Sequence, residues 1–254
     1  MILNTSETGE GPPLILLHGL FGTGKNLGAL GRGLAPQSRV ISMDLRNHGE
    51  SPHSTEMNFV AMASDVAETC AALGIGRARV AGHSLGGKTA MALALTQPAL
   101  VERLVVLDIA PVAYDHHYDA YVNAMQAIPL TPGLTRHDAD AALAHAVEAA
   151  PMRAFLLNNL VLGEDPHWRI ALPEIGAAMP NLLEWRDPPG FAPYTAPTLF
   201  LHGANSDYVS PAAEPAISRL FPNAVIQSVE GASHWLHAEK PQQIIASLKD
   251  FFFP

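Results

Sequence analysis

The sequence predicts an α/β fold with a mostly parallel central sheet flanked by helices. Three observations carry that reading. Short apolar runs of strand length alternate with helical patterns through the first 110 residues, which is the rhythm of βα units. The same rhythm returns in the last 60 residues. Between them, a stretch with helical periodicity and prolines shows little strand signal.

Taken in order, residues 14–17 read as a buried strand running into "HGLFGTG". A helical pattern over 27–34 stops near Pro36, and 39–44 is the next strand, followed by the loop "LRNHGESPHS". Asn58 is a candidate N-cap for a helix reaching Leu73 and closing on Gly74. Residues 79–83 form a third strand, 85–97 a helix ended by Pro98, and 104–109 a fourth strand. Later strands are expected at 198–202 and 225–229, with a helix near 212–220 between them. A last helix starts at Pro241, a residue suited to a first helical turn. The core is therefore expected to comprise 1–111 and 191–254, with 112–190 as a helical insertion. "DADAALAHAVEAA" and "PMRAFLLNNLV" read as its helices, and Phe155, Leu156, Leu157, Leu160 and Trp168 call for a packed partner there.

The chain has 254 residues, enough for one well-buried domain with an insertion. Its net charge of −9 and the lack of any Lys/Arg run argue against a nucleic-acid partner or docking on anionic lipid. The apolar run at 14–17 is too short for a membrane span, and the first residues carry no basic segment before an apolar one, so no membrane insertion and a cytoplasmic location are expected. Cys70 is the single cysteine, which excludes an intrachain disulfide and a cysteine zinc site. The 12 histidines are scattered; His116-His117 is the one adjacent pair, and no metal site is expected.

The chemistry is concentrated in "AGHSLGGKTA". Gly82, Ser84 and Gly86 form G-x-S-x-G, with a strand pattern before and a helix pattern after. A serine needs a base to take its proton and a turn that presents it, and the two glycines allow the chain to reverse tightly. The helix N-terminus adds positive dipole beside a developing oxyanion. Two backbone donors would hold that oxyanion: the amide of Leu85, next after the serine, and that of Leu20 in the loop after the first buried strand, with Phe21 lining the pocket. His18 reads as a brace for this loop, and Arg46 and His48 as residues that fix their own loop.

The base is expected on the loop after the last strand, where "VEGASHWLHAEKP" offers His234 and His237. His234 follows the strand directly and is favoured, since loop ends of strands carry catalytic groups in open α/β sheets; His237 reads as bracing. For the acid the residues leave two positions, both in the chain order Ser, Asp, His. One is Asp207 in "FLHGANSDYVS". The other is Asp108 in "LVVLDIAP", where a carboxylate ending an apolar run is costly unless it is paired.

"HGLFG", "MDLRNHGESPHS", "MNFVAMASDV", "GHSLGGKTAMALAL", "LDIAPVAY" and "GASHWLHAEKP", in that order, resemble the α/β-hydrolase fold family, and within it most resemble the YbfF-type bacterial esterases. The resemblance runs the length of the chain and is weakest from about 115 to 190. It implies a lidded serine esterase acting on small-molecule esters, with no metal or organic cofactor. It also bears on the acid. In many α/β-hydrolases the acid is the third residue after the glycine of a segment like "HGANSDYV". Here that slot holds Ser206, and Asp207 comes one residue late. In the YbfF-type group a serine likewise fills the slot and the aspartate after the preceding strand takes over, which implies Asp108, with Ser206 adding a hydrogen bond to the His234–Asp108 pair. The expected reaction is hydrolysis of small to medium acyl esters through an acyl-enzyme, with the insertion as a lid and Trp185 and Phe155 near the pocket. A thioesterase, a C–C bond hydrolase or a ligand receptor on the same fold are the alternatives. A serine at 84 argues against an epoxide hydrolase or dehalogenase, which would need a carboxylate there.

Overall fold

The computed structural model describes residues 1–115 and 118–254; the His116-His117 pair lies outside the described residues. The apolar runs form the strands β2 (Pro13–Leu17), β3 (Arg39–Met43), β4 (Ala78–His83), β5 (Val101–Leu107), β8 (Thr198–Gly203) and β9 (Ala224–Val229). They assemble in the order β3-β2-β4-β5-β8-β9, all parallel. One strand escaped the sequence reading. β1 (Thr5–Thr8) pairs antiparallel with β3 at the sheet edge, and its polar "TSET" gives no apolar run to detect. The predicted fourth strand also ends earlier than expected. Asp108 adopts φ 53°, which takes it and Ile109 out of the ladder.

Helices cover both faces. On one, α1 (Gly28–Leu34) and α10 (Pro241–Phe252) bury Leu30, Leu34, Ile244, Leu248 and Phe252 against Leu14, Leu16 and Val105. On the other, α2 (Phe59–Ala72), α3 (Leu85–Thr96) and α8 (Glu214–Leu220) join a core with Ile15, Val80, Val106 and Phe200. The cap of α2 is as expected: the Asn58 side chain accepts from the Ala61 amide at 2.9 Å, and Gly74 closes the helix at φ 70°. The predicted helix at 27–34 is split into a 3-10 turn, Gly24–Leu27, and α1.

The chain first moves from β2 out to β3, then crosses back to β4 on the other side of β2. In open parallel sheets a crevice forms where the order reverses, outside the carboxyl ends of the strands. Here those ends are Leu17 of β2 and His83 of β4, so the loop after one strand faces the turn after the other.

Between β5 and β8 the chain forms α4 (Asp119–Gln126), α5 (Arg136–Leu143), α6 (Ala150–Leu156), a ribbon of β6 (Leu160–Val161) with β7 (His167–Trp168), and α7 (Leu172–Leu183). The ribbon interrupts what the sequence suggested was helix through Val161. Val122, Leu143, Leu156, Ile175 and Met179 of this segment enter the same core as α2 and α3.

The "RNHG" loop is anchored by a buried ion pair. Arg46 donates to both carboxylate oxygens of Asp65 in α2, at 2.5 and 2.8 Å, and to the carbonyl of Ala61 at 3.0 Å. Removing one partner of such a pair strands the other charge. Arg46→Met is therefore expected to lower unfolding stability by about 3 kcal/mol in urea titrations, and a companion Asp65→Leu change to restore part of it.

Candidate active site

Ser84 stands at the sharp turn from β4 into α3, with φ 52° and ψ −116°. A non-glycine residue there is strained, and the neighbours hold it in place. A Cβ on Gly82 would lie 2.2 Å from the Gly86 carbonyl oxygen, and one on Gly86 would lie 2.3 Å from that of Leu17. The two glycines are thus required by close backbone approach, as the motif implied. The Ser84 amide donates to the Leu107 carbonyl of β5 at 3.0 Å, which ties the turn to the strand that leads to Asp108.

Asp108 is completely buried. One carboxylate oxygen accepts from the Gly203 amide at 2.8 Å. The other accepts from Nδ1 of His234 at 2.7 Å and from the Ser206 hydroxyl at 2.5 Å. Charge-assisted bonds of this kind offset the cost of burying a carboxylate. Asp207 is exposed. Of the two acids the sequence left open, the structure brings Asp108 to His234, and the turn carrying "NSD" sends Ser206 inward instead. His234 is 19% exposed, and its ring stacks on Tyr208, with centroids 3.9 Å apart and planes at 17°. With Nδ1 donating to Asp108, Nε2 is left as the basic nitrogen.

The loop after β2 turns tightly, the Gly22 amide donating to the Gly19 carbonyl at 3.0 Å and Phe21 adopting φ 60°. The Phe21 amide donates to Nε2 of His48 at 3.1 Å, and Nδ1–H of His48 donates to the Arg46 carbonyl at 2.9 Å. His18 similarly accepts from the Leu45 amide through Nε2 at 2.9 Å and donates to the Gly19 carbonyl at 2.8 Å. Both histidines act as neutral braces. Burial pushes His48 down to about 3, so its Nε2 stays free to accept. A Cβ on Gly19 would come within 3.4 Å of the Ser84 Cβ; the loop lies directly against the serine. Leu20 follows Gly19 in that turn. Leu85 is the first residue of α3, where an amide has no intrahelical partner.

Ser84, His234, Leu20 and Phe21 line one cavity of about 50 Å³, together with Tyr118, Tyr121, Met152 and Phe155 from the β5–β8 segment. A second, of about 40 Å³, also meets Ser84 and Leu20 and is lined by Leu85, Lys88, Ile109 and Met179. Trp185, expected beside the pocket, does not line either of these two cavities. Its ring packs on Phe59 at 5.9 Å, and its indole N–H donates to Asp187 at 2.9 Å.

Several contributors were not singled out from sequence. His83 donates from Nε2 to the His234 carbonyl at 2.9 Å and lies ring to ring with His237 at 4.3 Å. Asn159 donates to the Phe21 carbonyl at 2.8 Å, fastening the segment to the loop. Lys88 is the one charged residue in α3 and is buried. That lone charge in an apolar helix was the available signal.

An elbow serine on a parallel sheet, in one cavity with an Asp-held histidine, fits a hydrolase architecture. The alpha/beta hydrolase fold family matches residues 12–241, and the chain belongs to that family. It is 41% identical over 249 residues to the sn-1-specific diacylglycerol lipase ABHD11 of Mus musculus, a match covering 94% of this chain and 80% of that protein. It is 37% identical over 240 residues to the esterase YbfF of Escherichia coli (strain K12), covering 94% of this chain and 92% of the relative. Among solved structures, a marine microorganism esterase superposes with a TM-score of 0.94 at 33% identity, covering 98% of this chain and 99% of the other. Among the described residues, no helix is long and apolar enough to cross a membrane.

Buried neutral histidines give the site a defined acid sensitivity. Burial lowers His48 to about 3 and His237 to about 4, whereas the unfolded chain protonates both near 6.5. Their contribution to stability is complete above about pH 6.5 and is lost as pH falls toward 4, at up to roughly 1 kcal/mol per pH unit for each group. Guanidinium unfolding midpoints are expected to fall between pH 6.5 and 4, with net proton uptake on unfolding at about pH 5.

Proposed function

We propose that this ester-bond hydrolase is a serine carboxylesterase that cleaves small to medium acyl esters through a Ser84–His234–Asp108 triad. One observation carries the reading: the buried Asp108 carboxylate holds Nδ1 of His234 at 2.7 Å, while His234 and Ser84 line the same cavity.

In the reaction, Nε2 of His234 takes the Ser84 proton as Oγ attacks the ester carbonyl. Asp108 keeps the imidazole in the required tautomer and stabilises the imidazolium. The amides of Leu20 and Leu85 receive the oxyanion, a contribution typically worth about a hundredfold or more in rate per donor. His234 then returns the proton to the departing alcohol. Water deacylates the serine by the same path in reverse. Ser206 adds a second donor on the oxygen that His234 uses, so it orders the carboxylate rather than competing for it. Residues 112–190 serve as the cap: Tyr118, Tyr121, Met152, Phe155 and Met179 from that segment line the two cavities at Ser84.

Steady-state hydrolysis of p-nitrophenyl butyrate tests the assignment. Ser84→Ala and His234→Ala are expected to lose activity by roughly a million-fold and Asp108→Asn by about ten-thousand-fold in kcat, Ser206→Ala less. Asp207→Asn is expected to stay near wild type. Full activity in Ser84→Ala, or loss in Asp207→Asn with Asp108→Asn intact, overturns it.

A further inference from the structure

Two cavities meet at Ser84, and they differ in which catalytic groups they touch. The first is lined by His234; the second is lined by Leu85 and not by His234, while Ser84 and Leu20 belong to both. We infer that the acyl group of the ester occupies the second cavity, whose wall includes Lys88, and that the leaving group occupies the first. The inference rests on ester hydrolysis at Ser84.

The direction follows from the path of the proton. The group that protonates the leaving oxygen must lie beside it, so the departing alcohol or phenol passes along His234. The acyl carbon stays bonded to Ser84 with its oxygen toward the amides of Leu20 and Leu85, and its chain runs the other way, past Ile109 and Met179.

The two routes also differ in their walls. Lys88 lies four residues after Ser84 in α3, 2% exposed. Its ammonium donates to the carbonyls of Leu183 and Glu184 at 3.2 and 2.9 Å, and sits 4.8 Å from the centroid of the Tyr114 ring. The Leu183 carbonyl also accepts from the Tyr114 amide at 3.0 Å. Burial lowers the amine to about 7. This part of the wall is therefore a clip joining α3 to both stems of the insertion, and it does not swing aside as a free lysine would. A volume of about 40 Å³ holds about three water-sized centres, or a short acyl chain. The leaving-group side is open by contrast. Met152, Phe155, Trp235 and His237 line the first cavity and also a groove of about 470 Å³ beyond it. The geometry restricts the ester to a short acyl group and admits leaving groups of any size, small or large and apolar, with Lys88 and Met179 limiting the acyl length.

The test uses the purified full chain and two ester series: p-nitrophenyl acetate, butyrate and octanoate, and the acetates of phenol, 2-naphthol and 4-phenylazophenol. Wild-type kcat/KM is expected to fall at least about tenfold from butyrate to octanoate and to vary by less than about threefold across the acetates. Lys88→Ala and Met179→Ala are each expected to raise the octanoate-to-acetate ratio at least about fivefold without moving the ratios among the acetates. Phe155→Ala and Met152→Ala are expected to move the acetate ratios and leave acyl-length preference in place. Because selectivity ratios are read, a general loss of folding in one variant does not imitate the result, and Met179→Ala stands if Lys88→Ala does not fold. Wild type that takes octanoate as readily as acetate, or Phe155→Ala opening the site to octanoate while Met179→Ala does not, overturns the allocation. Hydrolysis of none of these esters overturns the esterase reading itself.

Discussion

The architecture of the site depends on one buried carboxylate. Asp108 is a full charge with no water access, and it survives there because three donors converge on it: a backbone amide at the end of β8, a hydroxyl from the following turn, and the imidazole of His234. Those donors come from two separate stretches of the chain, 203–206 and the loop carrying His234. Each is drawn to the carboxylate by the cost of leaving it unpaired, and each brings its own loop with it. The positive φ at Asp108 belongs to the same arrangement, since it turns the side chain off the ladder and toward the neighbouring strand. The carboxylate thus organises the site before it takes any part in a reaction.

Around this centre the loops hold each other through hydrogen bonds and ring contacts. Neutral histidines accept amide protons from the loops after β2 and β3, histidine contacts run behind His234, and a bidentate arginine pair fixes the loop after β3. These groups work because they are dry. A neutral imidazole accepts and donates at once, and burial keeps it neutral at ordinary pH.

The parallel core and the elbow were legible in the sequence because their signals are local. An apolar run, a Gly-x-Ser-x-Gly turn and the helix after it are written within 20 consecutive residues. Asp108 and His234 were legible as candidates, yet their pairing spans 126 positions, and no spacing encodes that. Residues alone left Asp207 open; only a resemblance to known esterases favoured Asp108, and the reason is visible in how the Ser206 turn is aimed. Elements without an apolar pattern stayed hidden. The polar edge strand β1 and the two-residue strands of the ribbon carry no hydrophobic period, and Trp185 looked like a pocket residue because an aromatic in an insertion says nothing about which way it faces.

The stacking of Tyr208 on His234 has a mechanical side. Tyr208 is hydrogen-bonded through its hydroxyl to Tyr118, at the start of α4, and its carbonyl accepts from Tyr114 on the stem of the same segment. The flat face of the imidazole is therefore pressed by a ring whose position is held from above. Asp108 fixes the histidine along its edge, and Tyr208 fixes it across its face. Anything that lifts the Tyr118 segment loosens one of those two restraints, so the posture of the imidazole and the posture of that segment are a single mechanical variable.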